Sequence, residues 1–296
     1  MTAKRSIMAN PVQVHVIGAS GRSGTALCRS LLEDRIAIVP IVRDAAKWGA
    51  AGIDIAPRIA DLTEHGALRS VLEDATHIVC CAHARHAAAV IDAAPPGARL
   101  IFLGSTRKFT NWLDTHGSDV LVGEVAFLAS ERAGVMLHPT MIYGAQGEDN
   151  VKRLAALLRR LPIVPLPGGG RALVQPIHQD DVTRAIRAAL AHEWGGPQSL
   201  VIAGPTALPY ADFVRAVASA AGLRRPRIIP VPAAPLMAAA RVLRHIPLLP
   251  AIHPEEIRRL LEDKAFDIRP MKQNLGVRPM PLQAGLARTF ASQDNT

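Results

Sequence analysis

Apolar runs and stretches of helical spacing alternate along the first 105 residues of the chain. In residues 12–17 apolar and polar side chains alternate and β-branched residues are frequent, which predicts a strand. In residues 25–32 the apolar side chains have the spacing of a helix. Further strands are predicted at 36–42, 59–62, 76–82 and 99–105, and a helix over 64–73. This alternation predicts an α/β fold, a doubly wound parallel sheet that helices cover on both faces.

A glycine-rich segment joins the first predicted strand to the first predicted helix. It reads Gly18-Ala19-Ser20-Gly21-Arg22-Ser23-Gly24. In such a unit the first glycine permits a tight turn, the second lets backbone amides approach a pyrophosphate, and the third lets the helix pack closely. The helix N-terminus then faces the phosphates. We predict a dinucleotide-binding loop; the alternative is a purely structural turn. The predicted contacts are Gly18, Ser20, Gly21, Arg22, Ser23 and Gly24.

The end of the second predicted strand bears on which nicotinamide cofactor binds. An acidic residue there binds the ribose 2′-hydroxyl of NAD, whereas an arginine nearby accommodates the 2′-phosphate of NADP. Here Arg43 precedes Asp44, and Arg22 in the glycine loop is a second cation. Two guanidinium groups suit a phosphate, so the sequence favours NADP(H) over NAD(H). The alternative is that Arg43 is a solvated charge and that NAD binds.

Small or polar residues follow the other predicted strands. Ligands of doubly wound sheets lie at the carboxyl ends of the strands. We therefore expect four further residues to surround the cofactor, namely Asp61, Ala82, His83 and Ser105.

Composition narrows the class of protein. The chain has 296 residues, of which 49% are hydrophobic, enough for one large α/β domain or for a nucleotide domain with a small second lobe. Three cysteines without a CxxC pair argue against a disulfide scaffold and a zinc site, and we predict no metal. No uncharged apolar stretch has membrane-spanning length and the N-terminus does not resemble a signal peptide, so a cytoplasmic protein is expected.

The positive charge is concentrated in the second half of the chain. Residues 1–150 carry a net charge of −1 and residues 151–296 a net charge of +10. The sharper interpretation is a surface for an acidic substrate, an acidic partner or a membrane; the simpler one is solvated helix faces. Nucleic acid is disfavoured because aromatic stacking residues are sparse.

The second half also changes character along its length. Helices are predicted over 151–161, 235–245 and 254–266, a proline- and glycine-rich connector over 162–171, and a late strand over 199–203. We expect a nucleotide domain over residues 1–205, with 146–172 contributing to a second lobe, and a mostly helical C-terminal lobe over 206–296. A monomer or a homodimer is expected.

Several blocks together resemble one superfamily. Besides the glycine loop they are Val42-Arg43-Asp44, Asp61-Leu62, Gly104-Ser105-Thr106, His138-Pro139-Thr140-Met141-Ile142-Tyr143-Gly144 and Gln175-Pro176-Ile177-His178-Gln179-Asp180-Asp181-Val182. They resemble the extended and atypical branches of the short-chain dehydrogenase/reductase superfamily: the NAD-dependent epimerase/dehydratase group, NmrA-like regulators and an accessory subunit of respiratory complex I. The resemblance spans about residues 12–290. It implies a Rossmann fold, a C-terminal lobe that closes over the substrate, and cofactor contacts from Leu62 and Pro139.

The chain departs from this superfamily at the catalytic pair. Active members use a tyrosine and a lysine four residues later, with a serine nearby, but Tyr143 and Tyr210 are followed at that spacing by glycine and valine. Alignment by resemblance puts His116 at the tyrosine position, Val120 at the lysine position and Glu124 at the acidic position that follows. Ser105 matches the family serine. We therefore predict Ser105 and His116 as catalytic residues.

Other side chains are weaker candidates for acid–base chemistry. They are His83, Lys108 and His178; for each histidine, His116 included, a structural role is the alternative, and Lys108 is expected to be a solvated surface charge. Tyr143 is expected to be structural or to line a pocket. The acidic pair Asp180 and Asp181 precedes a predicted helix, which favours helix capping over catalysis.

Two functions of different classes fit this pattern. The first is an NADP(H)-dependent oxidoreductase or epimerase-like enzyme with a substitute for the tyrosine–lysine pair, acting on an unidentified small molecule. The second is a non-catalytic dinucleotide-binding protein, a redox sensor or an assembly subunit. Ser105 favours the first and the basic lobe favours the second.

Overall fold

A computed structural model describes residues 13–112, 114–144, 150–161, 163–243 and 254–291. Parts of several predictions lie outside the described residues. They are the N-terminal segment 1–12, residue 162 of the connector, residues 146–149 and 162 of the second lobe, the last two residues of the helix predicted over 235–245, and residues 244–253 and 292–296 of the C-terminal lobe. Every predicted site residue lies within the described ranges.

Seven strands form the central sheet, and all of them are parallel, as the sequence predicts. The strand Gly134–Pro139 is not among those predicted. In chain order they are β1 (Gln13–Ile17), β2 (Ala37–Val42), β3 (Arg58–Ile59), β4 (His77–Cys80), β5 (Arg99–Leu103), β6 (Gly134–Pro139) and β11 (Pro197–Ile202). Their order across the sheet is β11-β6-β5-β4-β1-β2-β3. The chain reverses direction across the sheet between β1 and β4, which is where doubly wound folds bind dinucleotides.

Helices cover both faces of this sheet. The helices of the described residues, those outside the sheet included, are α1 (Arg22–Glu33), α2 (Ala45–Gly49), α3 (His65–Leu72), α4 (Ala87–Ala93), α5 (Thr115–Ala129), α6 (Asn150–Arg160), α7 (Gln179–Ala191), α8 (Tyr210–Ala220), α9 (Ala233–Leu243), α10 (Pro254–Arg259), α11 (Arg269–Leu275) and α12 (Leu282–Ala291). Helices α1, α7 and α11 pack on one face through a core that includes Leu27, Ile186 and Met271. Helices α3, α4 and α5 pack on the other face around Leu68 and Phe127.

A third core lies outside the central sheet, among α6, α8 and α12. It contains Tyr143, Val151, Phe213 and Leu286. Three two-stranded sheets accompany it: β7 (Ile142–Tyr143) with β10 (Ile177–His178), β8 (Ile163–Pro167) with β13 (Arg227–Val231), and β9 (Leu173–Val174) with β12 (Leu208–Pro209). The second lobe therefore draws on chain segments from both sides of residue 205.

The C-terminal segment also returns to the central sheet. Ile268, Met271, Leu275 and Val277 join the core beside α7 and β11. The division of the chain at residue 205 stays a prediction.

Two predicted elements differ from those observed. The stretch at 163–167 is a strand within the expected connector. Among the described residues it pairs with β13 alone, so it is an edge strand, and prolines are tolerated there. The helix expected over 254–266 ends at Arg259. After it, the Glu262 carboxylate accepts hydrogen bonds from Thr110 and from the Asn111 amide, so tertiary contacts hold the chain out of the helix.

Smaller differences concern element ends. The third strand ends at Ile59, because Asp61 instead accepts hydrogen bonds from the amide and hydroxyl of Thr63 in a local turn. Helix α1 begins at Arg22, inside the glycine segment. Helix α7 begins at Gln179 and its cap is His178, whose Nδ1 accepts from the Asp180 amide. The expectation that the acidic pair caps this helix was wrong.

Candidate active site

The glycine loop has the backbone geometry that its sequence predicts. Gly18 lies at φ +74°, and a Cβ there would stand 3.0 Å from the Ala82 nitrogen, so the loop touches the chain that follows β4. A Cβ at Gly24 would stand 2.3 Å from the Gly18 carbonyl oxygen. Helix α1 is therefore packed against its own loop. Gly21 is its N-cap and offers no side chain, so no capping side chain occupies the first-turn amides.

The polar side chains of the loop are used differently. The Ser23 hydroxyl is buried and donates to Gln179 of α7 at 3.2 Å, so it faces a helix–helix contact. Any phosphate contact of Ser23 therefore runs through its backbone amide. Arg22 is exposed at the start of α1, and Ser20 is partly exposed in the turn. Thr25 fixes the turn from behind by donating to the Ala19 carbonyl.

The end of β2 separates the roles of its two charged residues. The Asp44 carboxylate caps α2 by accepting from the amides of Ala46 and Lys47. Arg43 is exposed beside it. Hydrogen bonds from Thr63 and, more weakly, the charge of Arg43 lower the pKa of Asp61, which places Arg43 and Asp61 near each other. Leu62 is half-buried against the core of the sheet's α3 face.

The carboxyl ends of β4, β5 and β6 lie side by side in the sheet. They bring together Ala82 and His83 after β4, Ser105 after β5, and Pro139 at the end of β6. The Thr106 hydroxyl donates to the Pro139 carbonyl oxygen at 3.1 Å, which ties the last two of these strand ends together.

The structure pairs two of the predicted histidines. His83 Nε2 lies 2.9 Å from His116 Nδ1, and the rings meet edge to face. His83 Nδ1 accepts a hydrogen bond from the Arg85 amide, so its proton sits on Nε2 and is donated to His116. This places the proton of neutral His116 on Nε2, the nitrogen turned away from His83.

The surroundings of this pair favour neutral rings. Burial, followed by the charges of His83 and Arg107, lowers the pKa of His116. Burial and the charge of Arg85 lower the pKa of His83. Asp119 acts in the opposite direction on both, without reversing the shift. Both rings are therefore neutral at pH 7.

The Ser105 hydroxyl group has one hydrogen-bond donor left for a ligand. Its hydroxyl accepts a hydrogen bond from the Arg107 amide at 3.1 Å, and its backbone amide donates to His138 Nδ1 at 3.2 Å. Accepting a bond uses a lone pair of the hydroxyl and leaves its proton to be donated. Ser105 therefore has a structural contact and a remaining donor.

A buried polar cluster stands behind Ser105. Glu124 of α5 accepts hydrogen bonds from Lys108 and from Ser199 of β11, and its carboxylate lies 3.2 Å from His138 Nε2. Burial would raise the pKa of Glu124, but hydrogen bonds from His138, Lys108 and Ser199 lower it to about 2. The expectation that Lys108 is a solvated charge was wrong: its side chain is 7% exposed because it pairs with Glu124.

The candidate His178 and Tyr143, which is expected to be structural or to line a pocket, lie together elsewhere. Tyr143 is buried in the third core against Gly285 of α12, and burial raises the pKa of its hydroxyl. His178 contacts the Tyr143 ring edge to face and caps α7. Asp181 is buried and accepts from the Met280 amide, so it joins α7 to the C-terminal segment. These residues hold the lobe in place.

A cleft of about 570 Å³ opens beside His116. One wall comes from the segment between β5 and α5, and the other comes from the end of α10. It is lined by Arg107, Trp112, Asp114, Thr115, His116, Arg258 and Arg259. Its size is that of a small-molecule site. Sequence reasoning missed this cleft, because its two walls are about 140 residues apart in the chain.

Other kinds of site are not found in the part of the chain that the structure describes. No group of three or more histidine, cysteine or acidic side chains there could hold a metal ion. None of the described helices is both long and apolar enough to cross a membrane. Burial raises the pKa of Cys28 and Cys80 to about 12, so these two thiols are unreactive core groups.

No family model and no curated protein sequence matches the chain. Solved structures do match it. An NADPH-dependent quinone oxidoreductase from Escherichia coli, solved with NADPH, superposes with a TM-score of 0.72 at 19% identity, covering 94% of this chain and 99% of that one. The chain therefore shares the fold of this oxidoreductase.

Two epimerases share this fold as well. UDP-glucose 4-epimerase from Thermotoga maritima, solved with UDP-glucose, matches with a TM-score of 0.72 at 14% identity over 96% of this chain and 100% of that one. UDP-glucuronic acid 4-epimerase from Bacillus cereus, solved with UDP-glucuronic acid and NAD, matches with a TM-score of 0.71 at 16% identity over 96% and 99%. At these identities the likeness shows the fold alone, and it confirms the predicted α/β architecture.

Proposed function

We propose that the protein is an NADP(H)-dependent oxidoreductase of the epimerase/dehydratase type in which His116, held by His83, replaces the usual tyrosine. The observation that carries this proposal is the paired histidines at the carboxyl edge of the sheet, between the glycine loop and the cleft. A doubly wound sheet binds its ligand at this edge. The similar structures named above include NADPH- and NAD-bound enzymes, which supports a nicotinamide cofactor here.

The residues present fit such a cofactor. The uncapped amides at the start of α1 face the position of a pyrophosphate, and Gly18 lets the backbone pass close to Ala82. Arg43 and Arg22 are exposed where the 2′-phosphate would lie, and Asp44 is engaged as a helix cap, which supports NADP(H) over NAD(H). When bound, the cofactor would supply a hydride, which is a proton together with two electrons, to a substrate carbon.

The chain's own residues then act on the substrate oxygen. The Nε2–H of His116 and the hydroxyl proton of Ser105 donate hydrogen bonds to a carbonyl oxygen and stabilise the negative charge that develops as the hydride arrives. His83 holds the donor nitrogen of His116 in place. Neither histidine gives up its proton in this scheme; the proton that completes the alcohol comes from water, which reaches the open cleft.

Substitution of His116 tests this role. We expect His116→Ala to lower turnover of NADPH with carbonyl compounds at least tenfold, the usual scale for a lost donor to a developing oxyanion, and to leave NADPH affinity unchanged. Turnover of the parent protein should be constant as the pH rises from 7, because a neutral donor does not titrate there. His65→Ala, an exposed change at the start of α3, is the matched control. Unchanged turnover in His116→Ala would remove it from the mechanism.

A second function keeps specific support. The Ser105 hydroxyl caps a turn, and Val120, at the family lysine position, is buried in the core, so a cofactor-bound protein without turnover is consistent with the same geometry. We propose a redox sensor or an assembly subunit as this alternative. This alternative would be favoured if the protein bound NADPH but did not oxidise it with any carbonyl compound tested. A monomeric or homodimeric state, an acidic or membrane-surface partner for the basic lobe and a cytoplasmic location remain predictions.

A further inference from the structure

The cleft beside His116 carries an excess of positive charge. Arg107, Arg258 and Arg259 line it, and Asp114 is the one acidic side chain among its lining residues in the described chain. Both Asp114 oxygens are already engaged: Oδ1 accepts from the Gly117 amide as the cap of α5, and Oδ2 accepts from Arg107 and Arg259. Among the lining residues, one carboxylate thus stands with three guanidinium groups, two of which it contacts.

Asp114 also explains why the arginines lie together. Arg107 comes from the turn after β5 and Arg259 from the end of α10, so a single carboxylate oxygen joins the two walls of the cleft. Arg258 adds a third guanidinium group to the lining of the cleft, and guanidinium groups attract carboxylate and phosphate oxygens. The N-terminus of the 15-residue helix α5 opens into the same cleft through Thr115 and His116, and its dipole adds to that attraction.

An aromatic surface completes the cleft. Trp112 is 47% exposed, although a tryptophan usually buries most of its ring, and the Arg258 guanidinium lies 5.8 Å from the ring centroid. Arg258 is exposed as well. A flat group on Trp112 would therefore lie next to a cation.

From these contacts we infer that the cleft binds the carboxylate or phosphate group of a planar, aromatic carbonyl substrate. The anionic oxygens contact Arg258 and Arg259, the ring lies on Trp112, and the carbonyl group faces His116. Guanidinium groups suit such oxygens because they donate two parallel hydrogen bonds. This inference names the substrate class of the proposed reductase and rests on that function only for the placement of the carbonyl group.

Fluorescence of Trp112 gives a direct test that needs neither NADPH nor turnover. Trp48 and Trp194 are 2% and 7% exposed, so acrylamide quenching of the full chain reports mainly on Trp112. The probes share a ring and differ in charge: benzoate, phenyl phosphate and neutral benzyl alcohol. We expect either anion to protect Trp112 at concentrations at least tenfold below those of benzyl alcohol, and added salt to weaken that protection. The stronger anion identifies a carboxylate or a phosphate.

Matched variants separate the cleft from the general charge of the lobe. Arg258→Gln should weaken protection by the preferred anion about tenfold, the scale of one charge-assisted hydrogen bond, whereas Arg225→Gln, an exposed change in the same lobe, should leave it unchanged. Arg259→Gln is the second variant. Equal protection by benzyl alcohol, or equal effects of Arg258→Gln and Arg225→Gln, would overturn the inference. Anion binding without NADPH binding would refute the proposed function and leave this inference intact.

Discussion

The proposed cofactor edge and the proposed substrate cleft are built by different means. At the edge, the contacts to a cofactor would come from the backbone: the glycines Gly18, Gly21 and Gly24 and the open amides of α1. The cleft beside His116 is built from side chains of distant segments that are held by Asp114 and, behind Ser105, by the pairing of Lys108 with Glu124. The geometry of the glycine loop depends on the absence of side chains at these glycines, whereas the geometry of the cleft depends on ion pairs between its segments.

Breaking the buried pair of Lys108 and Glu124, which lies behind Ser105, should have the largest effect on the free energy of unfolding. Lys108→Met leaves the buried Glu124 carboxylate without its main cation, and we expect a loss of roughly 3–5 kcal/mol in the free energy of unfolding. Urea unfolding followed by circular dichroism measures this. Lys47→Met, an exposed change in α2, should stay within about 0.5 kcal/mol of the parent. A similar small loss for Lys108→Met would contradict the buried pairing.

Lowering the pH should remove the stability that ionised Glu124 contributes, without a mutation at Lys108. The folded protein holds the pKa of Glu124 at about 2, below the value of about 4.3 in an unfolded chain. The stability that this carboxylate contributes is therefore fully present above about pH 4.3 and is lost as the pH falls towards 2, by roughly 2–3 kcal/mol. The difference in unfolding free energy between the parent and Glu124→Gln should shrink over that window. A difference that is constant with pH would argue against it.

The cofactor edge should fail for a steric reason. Gly24→Ala places a methyl group against the Gly18 carbonyl oxygen, so the loop must shift; we expect a loss of about 1–3 kcal/mol in stability and at least tenfold in NADPH affinity. Gly66→Ala in α3 is the matched control, because its Cβ meets open space, and helix propensity predicts a gain of up to about 1 kcal/mol. Normal NADPH binding by Gly24→Ala would separate this loop from the cofactor.

The smallest effect concerns the choice between cofactors. Arg43→Ala should lower the affinity for NADPH about tenfold and leave that for NADH nearly unchanged, since one exposed charge-assisted hydrogen bond is lost. Fluorescence titration of both cofactors with both proteins measures the ratio. Equal NADPH and NADH affinities in the parent protein would refute the preference.

The two regions also differ in how far the sequence predicts them. The glycine loop is local, so its spacing after an apolar run was sufficient to predict the strand–turn–helix unit and the sheet around it. The pairing of His83 with His116 joins segments 33 residues apart, and the burial of Lys108 requires Glu124, His138 and Ser199 from three other elements. The spacing of residues along the sequence does not predict these contacts between distant segments.

The same reasoning accounts for the helix that ended early. Nothing near Arg259 in the sequence breaks a helix, but Glu262 is bound by Thr110 and Asn111 of the segment that forms the opposite wall of the cleft. Arg258 and Arg259 of the basic C-terminal half lie at this contact, so the proposed anion site would give part of that charge a specific use.

A crystal structure with NADPH tests the central claim most directly. We expect the pyrophosphate on the amides of Gly21–Ser23, the 2′-phosphate beside Arg43, and the nicotinamide ring between Ser105 and the cleft, with His116 Nε2 within hydrogen-bonding reach of the space where a substrate oxygen would lie. A nicotinamide ring turned away from His116, or surrounded only by apolar groups, would contradict the account and favour a non-catalytic sensor.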